Sequence, residues 1–213
     1  MKFASLALVF WLSSVSLGVA LPQKQDDAQA HIERGITLAQ QGKLDAAIAE
    51  FRQAIRLKPD TPDAHYNLGL ALSAKGDLDG AVGEYRETIR FQPDYADAYN
   101  SLGLALSDKG DLNSAIGELR QALRLKPDLA EAHYNLGRAL LMKGVWHGAA
   151  AEYRQVLRSM PDHPEAHANL GLALYRKGDL AGALVELRKA HELAPDNPQI
   201  RAAYEKLLKE TKH

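Results

Sequence analysis

Apolar residues fall three and four apart through most of this chain, and the spacing restarts on a fixed schedule. Ala64, Leu68, Ala71 and Leu72 stand at i, i+4, i+7 and i+8, the stripe that one face of an amphipathic helix requires. Gly76 interrupts the run, and Ala81, Val82, Tyr85, Thr88 and Ile89 then resume the same spacing as far as Pro93. The two runs predict a helical hairpin. The whole pattern returns every 34 residues, marked by Pro-Asp pairs at Pro59, Pro93, Pro127, Pro161 and Pro195. Leu-Gly stands near the start of four blocks, at Leu68-Gly69, Leu102-Gly103, Leu136-Gly137 and Leu170-Gly171.

With that proline counted as position 32, five blocks run 28–61, 62–95, 96–129, 130–163 and 164–197 without insertion. A unit this short cannot bury its apolar face alone, so neighbours must bury it for each other, and the product is an all-α, extended solenoid. Gly42, Gly76, Gly110, Gly144 and Gly178 follow the first helix of each block, where a left-handed residue caps a helix. Asp45, Asp79 and Asn113 are expected to N-cap the second helices. A helical glycine costs about 0.5–1 kcal/mol relative to alanine, so Gly35, Gly69, Gly103, Gly137 and Gly171 predict close helix approach. Ala47, Ala81, Ala115, Ala149 and Ala183 are the expected small partners. Beyond Pro198, Ile200, Ala203, Tyr204, Leu207 and Leu208 share one face and predict a capping helix within 198–213.

These blocks resemble tetratricopeptide repeats (TPR). The family pattern of large, Leu, Gly, Leu/Tyr, Ala, Tyr/Phe, Ala and Pro at positions 4, 7, 8, 11, 20, 24, 27 and 32 is matched in the second block by His65, Leu68, Gly69, Leu72, Ala81, Tyr85, Thr88 and Pro93. Departures occur at Arg34, in place of Leu, and at Val145 and His147, where the fourth block lacks its neighbours' polar turn. The resemblance implies an α-α superhelical solenoid of TPR hairpins whose first helices line a concave surface, with positions 2, 5, 6, 9, 12 and 13 turned into it.

On those positions the candidate peptide-binding residues are Tyr66, Asn67, Leu70, Asn100, Ser101, Leu104, Tyr134, Asn135, Arg138, Asn169, Leu172, Tyr175 and Arg176, with Leu141 and Met142 as further apolar surface. Position 6 forms a row of Asn67, Ser101, Asn135 and Asn169, with Glu33 in the first block. An asparagine side chain donates and accepts, so such a row can pair with the backbone of an extended peptide, as in TPR regions of the O-GlcNAc transferase type, which it resembles. On this reading, replacing Asn135 and Asn169 weakens partner binding and leaves melting nearly unchanged. Asp63, Asp97, Glu131 and Glu165 form an acidic row at position 2, which on the groove reading helps to set the direction of a bound segment and on the favoured reading answers the positive end of each helix dipole. The basic residues of a carboxylate clamp are not evident in the first three blocks.

Composition narrows the function further. The formal net charge of −1 and the absence of basic clusters point away from nucleic acid and anionic membranes. With no cysteine, the chain has neither disulfides nor thiol catalysis nor thiolate zinc sites. His31, His65, His133 and His167 recur at position 4, with Tyr99 in the third block; side chains one unit apart cannot converge on a metal, so packing is the expected role. His163 precedes Pro164 and is expected in a turn. Neither a nucleophile with its base, a phosphate-cradling loop nor a carboxylate pair is present, and no catalytic residue, metal or cofactor is expected. The expected partner is a protein or peptide.

Met1-Lys2, the apolar run Phe3 to Ala20, and small Gly18 and Ala20 before Leu21 have the form of a signal peptide cleaved after Ala20, followed by a polar linker over 21–27. An extracytoplasmic location, periplasmic or secreted, follows from it. The alternative is an uncleaved membrane anchor over 3–20, which gives a membrane-bound assembly factor; a regulatory subunit of an envelope transferase or export system is the other rival.

Overall fold

The computed structural model describes residues 20–211, so the expected leader, Ala20 apart, lies outside the described residues. Those residues form eleven helices and no strand: α1 (Ala20–Gln40), α2 (Leu44–Leu57), α3 (Pro62–Ala74), α4 (Leu78–Phe91), α5 (Ala96–Asp108), α6 (Leu112–Leu125), α7 (Ala130–Met142), α8 (Trp146–Ser159), α9 (Pro164–Arg176), α10 (Leu180–Leu193) and α11 (Pro198–Glu210). Each helix packs against its neighbours in sequence, and the first helices α1, α3, α5, α7 and α9 also touch one another in succession. The fold is the all-α superhelical solenoid that the repeat demands. α1 begins at Ala20 and so runs through the stretch expected as a linker. No helix among the described residues is long and apolar enough to cross a membrane.

The hairpin turns are set by five glycines with φ between +74° and +87°, a region that side chains with a Cβ enter at a cost of roughly 1–2 kcal/mol. The N-caps of the second helices lie two residues earlier than expected. Asp77, Asp111 and Asp179 accept from the backbone N–H of Gly80, Ser114 and Gly182, because the helix begins directly after the glycine turn. Asp45, Asp79 and Asn113 sit inside the first turn instead and receive Lys75, Lys109 and Lys143 from the next repeat.

Alanines Ala47, Ala81, Ala115, Ala149 and Ala183 are fully buried, yet they are not what the helical glycines chiefly accommodate. A Cβ on Gly69 would lie 2.6 Å from the Tyr85 ring, and one on Gly137 3.0 Å from the Tyr153 ring. Phe51, Leu119 and Leu187 fill the same place beside Gly35, Gly103 and Gly171. The large side chain of position 24 thus occupies the volume that the missing Cβ leaves. Arg34, at the departing position of the first repeat, is exposed and reaches Glu50, an arrangement open only to an end unit. At the other end Ile200 and Leu207 of α11 are buried, which closes the core as a capping helix must.

Candidate functional site

A polar link between positions 5 and 6 recurs at each pair of successive first helices after the first. Tyr66 Oη lies 3.4 Å from Ser101 Oγ, the Asn135 amide donates to Asn100 Oδ1 at 3.0 Å, and the Asn169 amide donates to Tyr134 Oη at 3.1 Å. In each case position 5 of one repeat meets position 6 of the next. Where the first repeat offers Ile32 at position 5, Asn67 finds no such partner and donates to the Asp63 carbonyl of its own helix. The asparagine row is therefore not a set of free rungs. Its amides hold neighbouring first helices in register, and Asn100 and Asn135 are buried in doing so.

The apolar candidates are more open. Leu70 and Leu172 are 41% and 38% exposed, and Tyr66, Leu104, Tyr134, Leu141 and Tyr175 are half-buried. Burial pushes the Tyr66 and Tyr134 phenols upward, so both remain protonated and able to donate or accept at neutral pH. The two arginines differ in setting. Arg138 is half-buried and pairs with Asp108 at 2.8 Å, whereas Arg176 is exposed and lies 5.7 Å from the Trp146 ring, within cation–π reach. His163 does sit at a turn: it N-caps α9 and stacks on Tyr134 with ring centres 5.5 Å apart.

Toward the C-terminal end the row of first helices opens into a pocket of about 490 Å³ between α7, α9, α10 and α11. Tyr134, Ala168, Leu172, Tyr175, Leu187, Ile200, Ala203 and Leu207 supply apolar lining, and Glu165, Asn169, Asn197, Gln199, Lys206 and Glu210 supply its polar groups. Such a volume suits a bulky side chain together with part of the backbone that carries it. The structure thus gathers Tyr134, Asn169, Leu172 and Tyr175 in one place and leaves Tyr66, Asn67, Leu70, Asn100, Ser101 and Leu104 upstream along α3 and α5. The contribution of α11 was missed in the sequence. Ala203 and Lys206 lie three and six residues after Ile200, but which side of a capping helix faces the hollow depends on how it docks. Among the described residues no three His, Asp or Glu side chains are disposed to hold a metal ion.

The family model described as TPR repeat matches residues 35–76, 70–110 and 103–144, and that described as Tetratricopeptide repeat matches 144–198. No curated protein matches the chain. Among solved structures, the chain is similar to YrrB, described as a TPR protein with an unusual peptide-binding site, at 24% identity and a TM-score of 0.74, over 87% of this chain and 96% of that one. It is similar to pilF of Pseudomonas aeruginosa at 21% identity and a TM-score of 0.78, over 89% and 86%. TTC0263, a thermophilic TPR protein of Thermus thermophilus, matches at 28% identity and a TM-score of 0.62, over 85% and 98%. These likenesses agree with the hairpin repeat and with the family models, and the chain is a member of the tetratricopeptide-repeat family.

Proposed function

We propose that this chain is an exported TPR scaffold that holds a segment of a protein partner along its first helices, anchored in the pocket beside α11. The observation that carries the reading is the pocket itself, with two tyrosines and six aliphatic side chains in its lining and amides of Asn169, Asn197 and Gln199 among them. Burying one Leu- or Phe-sized side chain there contributes about 1.5–3 kcal/mol, and the amides can pair with the flanking backbone. The description of YrrB as a peptide-binding TPR protein supports the same use of the fold. Specificity on this reading comes from the pocket and the exposed leucines, with the asparagine row in a secondary part. Export rests on the pattern of Met1 to Ala20.

Ala203→Trp tests the anchor, because Ala203 is exposed on α11 and its new ring would fill the pocket. Partners are captured from the source cell with the chain lacking residues 1–20 and with the same chain carrying Ala203→Trp. The variant is expected to lose the bound proteins while its melting is unchanged. Undiminished capture removes the pocket from the mechanism. N-terminal sequencing of the protein from its native cell tests export: a start at Leu21 supports it, and an intact Met1 with membrane association supports the anchored alternative.

A further inference from the structure

Three of the recurring histidines make the same pair of contacts. His65 Nδ1 lies 2.7 Å from Glu84 Oε2 and its Nε2 lies 2.9 Å from the Pro59 carbonyl. His133 stands 2.6 Å from Glu152 and 2.9 Å from the Pro127 carbonyl, and His167 stands 2.7 Å from Glu186 and 2.8 Å from the Pro161 carbonyl. Each glutamate belongs to the second helix of the same repeat, and each proline to the turn that closes the repeat before. A neutral imidazole carries one N–H and can donate to only one of these acceptors; the protonated ring donates to both. The geometry points to proton-operated clamps at three of the four joints between repeats, with the joint between the second and third repeats left unclamped.

At that joint Tyr99 replaces the histidine, and among the described residues its side chain makes no hydrogen bond to Pro93. Burial there holds the Glu118 carboxyl above its ordinary range, against the charge of Arg86. His31 stands before the first joint, with no preceding repeat among the described residues; Arg34 reaches both its ring and Glu50.

At His65, burial pushes the ring down, but the bonds to Glu84 and Pro59 and the charges of Glu84 and Glu87 outweigh it and raise its pKa. Phe91 stacks on the ring at 5.5 Å, and Arg90, which lies over Phe91, is paired with Glu87. Near His133 the corresponding turn of α8 carries Gln155, which receives Arg158, and near His167 Lys189 of α10 is paired with Asp162. A group with a raised folded pKa adds stability that is complete below its unfolded value, about 6.5 for histidine, and lost as pH rises through the folded value. The His65 clamp therefore tightens toward acid and releases toward alkaline pH, and the same two-acceptor geometry, which only a doubly donating ring satisfies, sets the direction at the other two joints. The inference rests on the fold and is independent of the groove reading.

Hydrogen exchange on the chain from Leu21 onward tests it, read at pH 5.5 and pH 8 after correction for intrinsic rates. Amides around residues 59–62, 127–130 and 161–164 are expected to lose protection at the higher pH while 93–96 stays constant, the loss at the first joint being about tenfold for each unit by which the His65 ring exceeds the free value. Equal change at all four joints, or at none, overturns the proposal. His65→Tyr, which copies the third repeat, is expected to make the first joint as insensitive as the second. Should that variant fail to fold, titration of the His65 ring by NMR still decides, since a midpoint at or below about 6.5 overturns the clamp.

Discussion

Asn135 donates its amide to the side-chain oxygen of Asn100 at 3.0 Å across the joint between the third and fourth repeats, and both residues are buried. Read as a peptide-binding rung, Asn135 would leave stability untouched when replaced. As a buried partner it cannot. Asn135→Ala strands the Asn100 oxygen, and the expected cost is about 1–3 kcal/mol. Urea unfolding of Asn135→Ala, Asn100→Ala and the double variant checks this, with the double expected to cost less than the sum of the singles.

The helical glycines separate into two kinds. Gly69→Ala drives a Cβ to 2.6 Å from the buried Tyr85 ring and is expected to cost about 1–3 kcal/mol. Gly83, exposed on α4 with nothing near its Cβ position, is expected to gain about 0.5–1 kcal/mol on the same substitution. Thermal melts of the two variants should move in opposite directions.

Caps give a similar contrast. Asp77→Ala removes the acceptor for the Gly80 N–H at the start of α4 and is expected to cost about 1 kcal/mol. Asp79→Ala, in the first turn, removes an exposed ion pair with Lys109 and is expected to cost less. Equal losses by chemical denaturation would contradict the assigned cap.

Two carboxyls respond to pH with opposite sign. The hydrogen bond from Arg90 holds Glu87 below the usual carboxylate range against a smaller cost of burial, so its contribution is present above about pH 4.5 and lost as pH falls through the folded value. Burial holds Glu118 above that range, so its charged form is a liability that grows as pH rises through its folded value. Glu87→Gln is expected to lower the melting temperature at pH 7, by an amount that shrinks as pH falls below about 4.5. Glu118→Gln is expected to raise it at pH 7 and leave it unchanged near pH 3. Melting of both variants across that range checks the signs.

Leu136 lies in the buried stripe of α7 and is 2% exposed. Leu136→Ala is expected to cost about 2–5 kcal/mol. Because a solenoid is held by nearest-neighbour interfaces, protection from exchange should fall in the third and fifth repeats as well as in the fourth. Loss confined to α7 would contradict that coupling.

The number of hairpins, their turns, the capping helix and the family could all be read from residue spacing, because every one follows from local backbone preference and a period of apolar positions. The five turn glycines and the stripe through Leu68 and Leu136 needed no knowledge of the rest of the chain. What the asparagines and histidines do could not be read that way. Their partners lie 35, 19 and 6 residues off, and only the docking of one hairpin on the next decides whether Asn135 meets Asn100 or solvent, and whether His65 meets Glu84 and Pro59. The pocket was hidden for the same reason: much of its wall is contributed by α11 and the Asn197 that caps it, and how that helix docks is set by packing against α10.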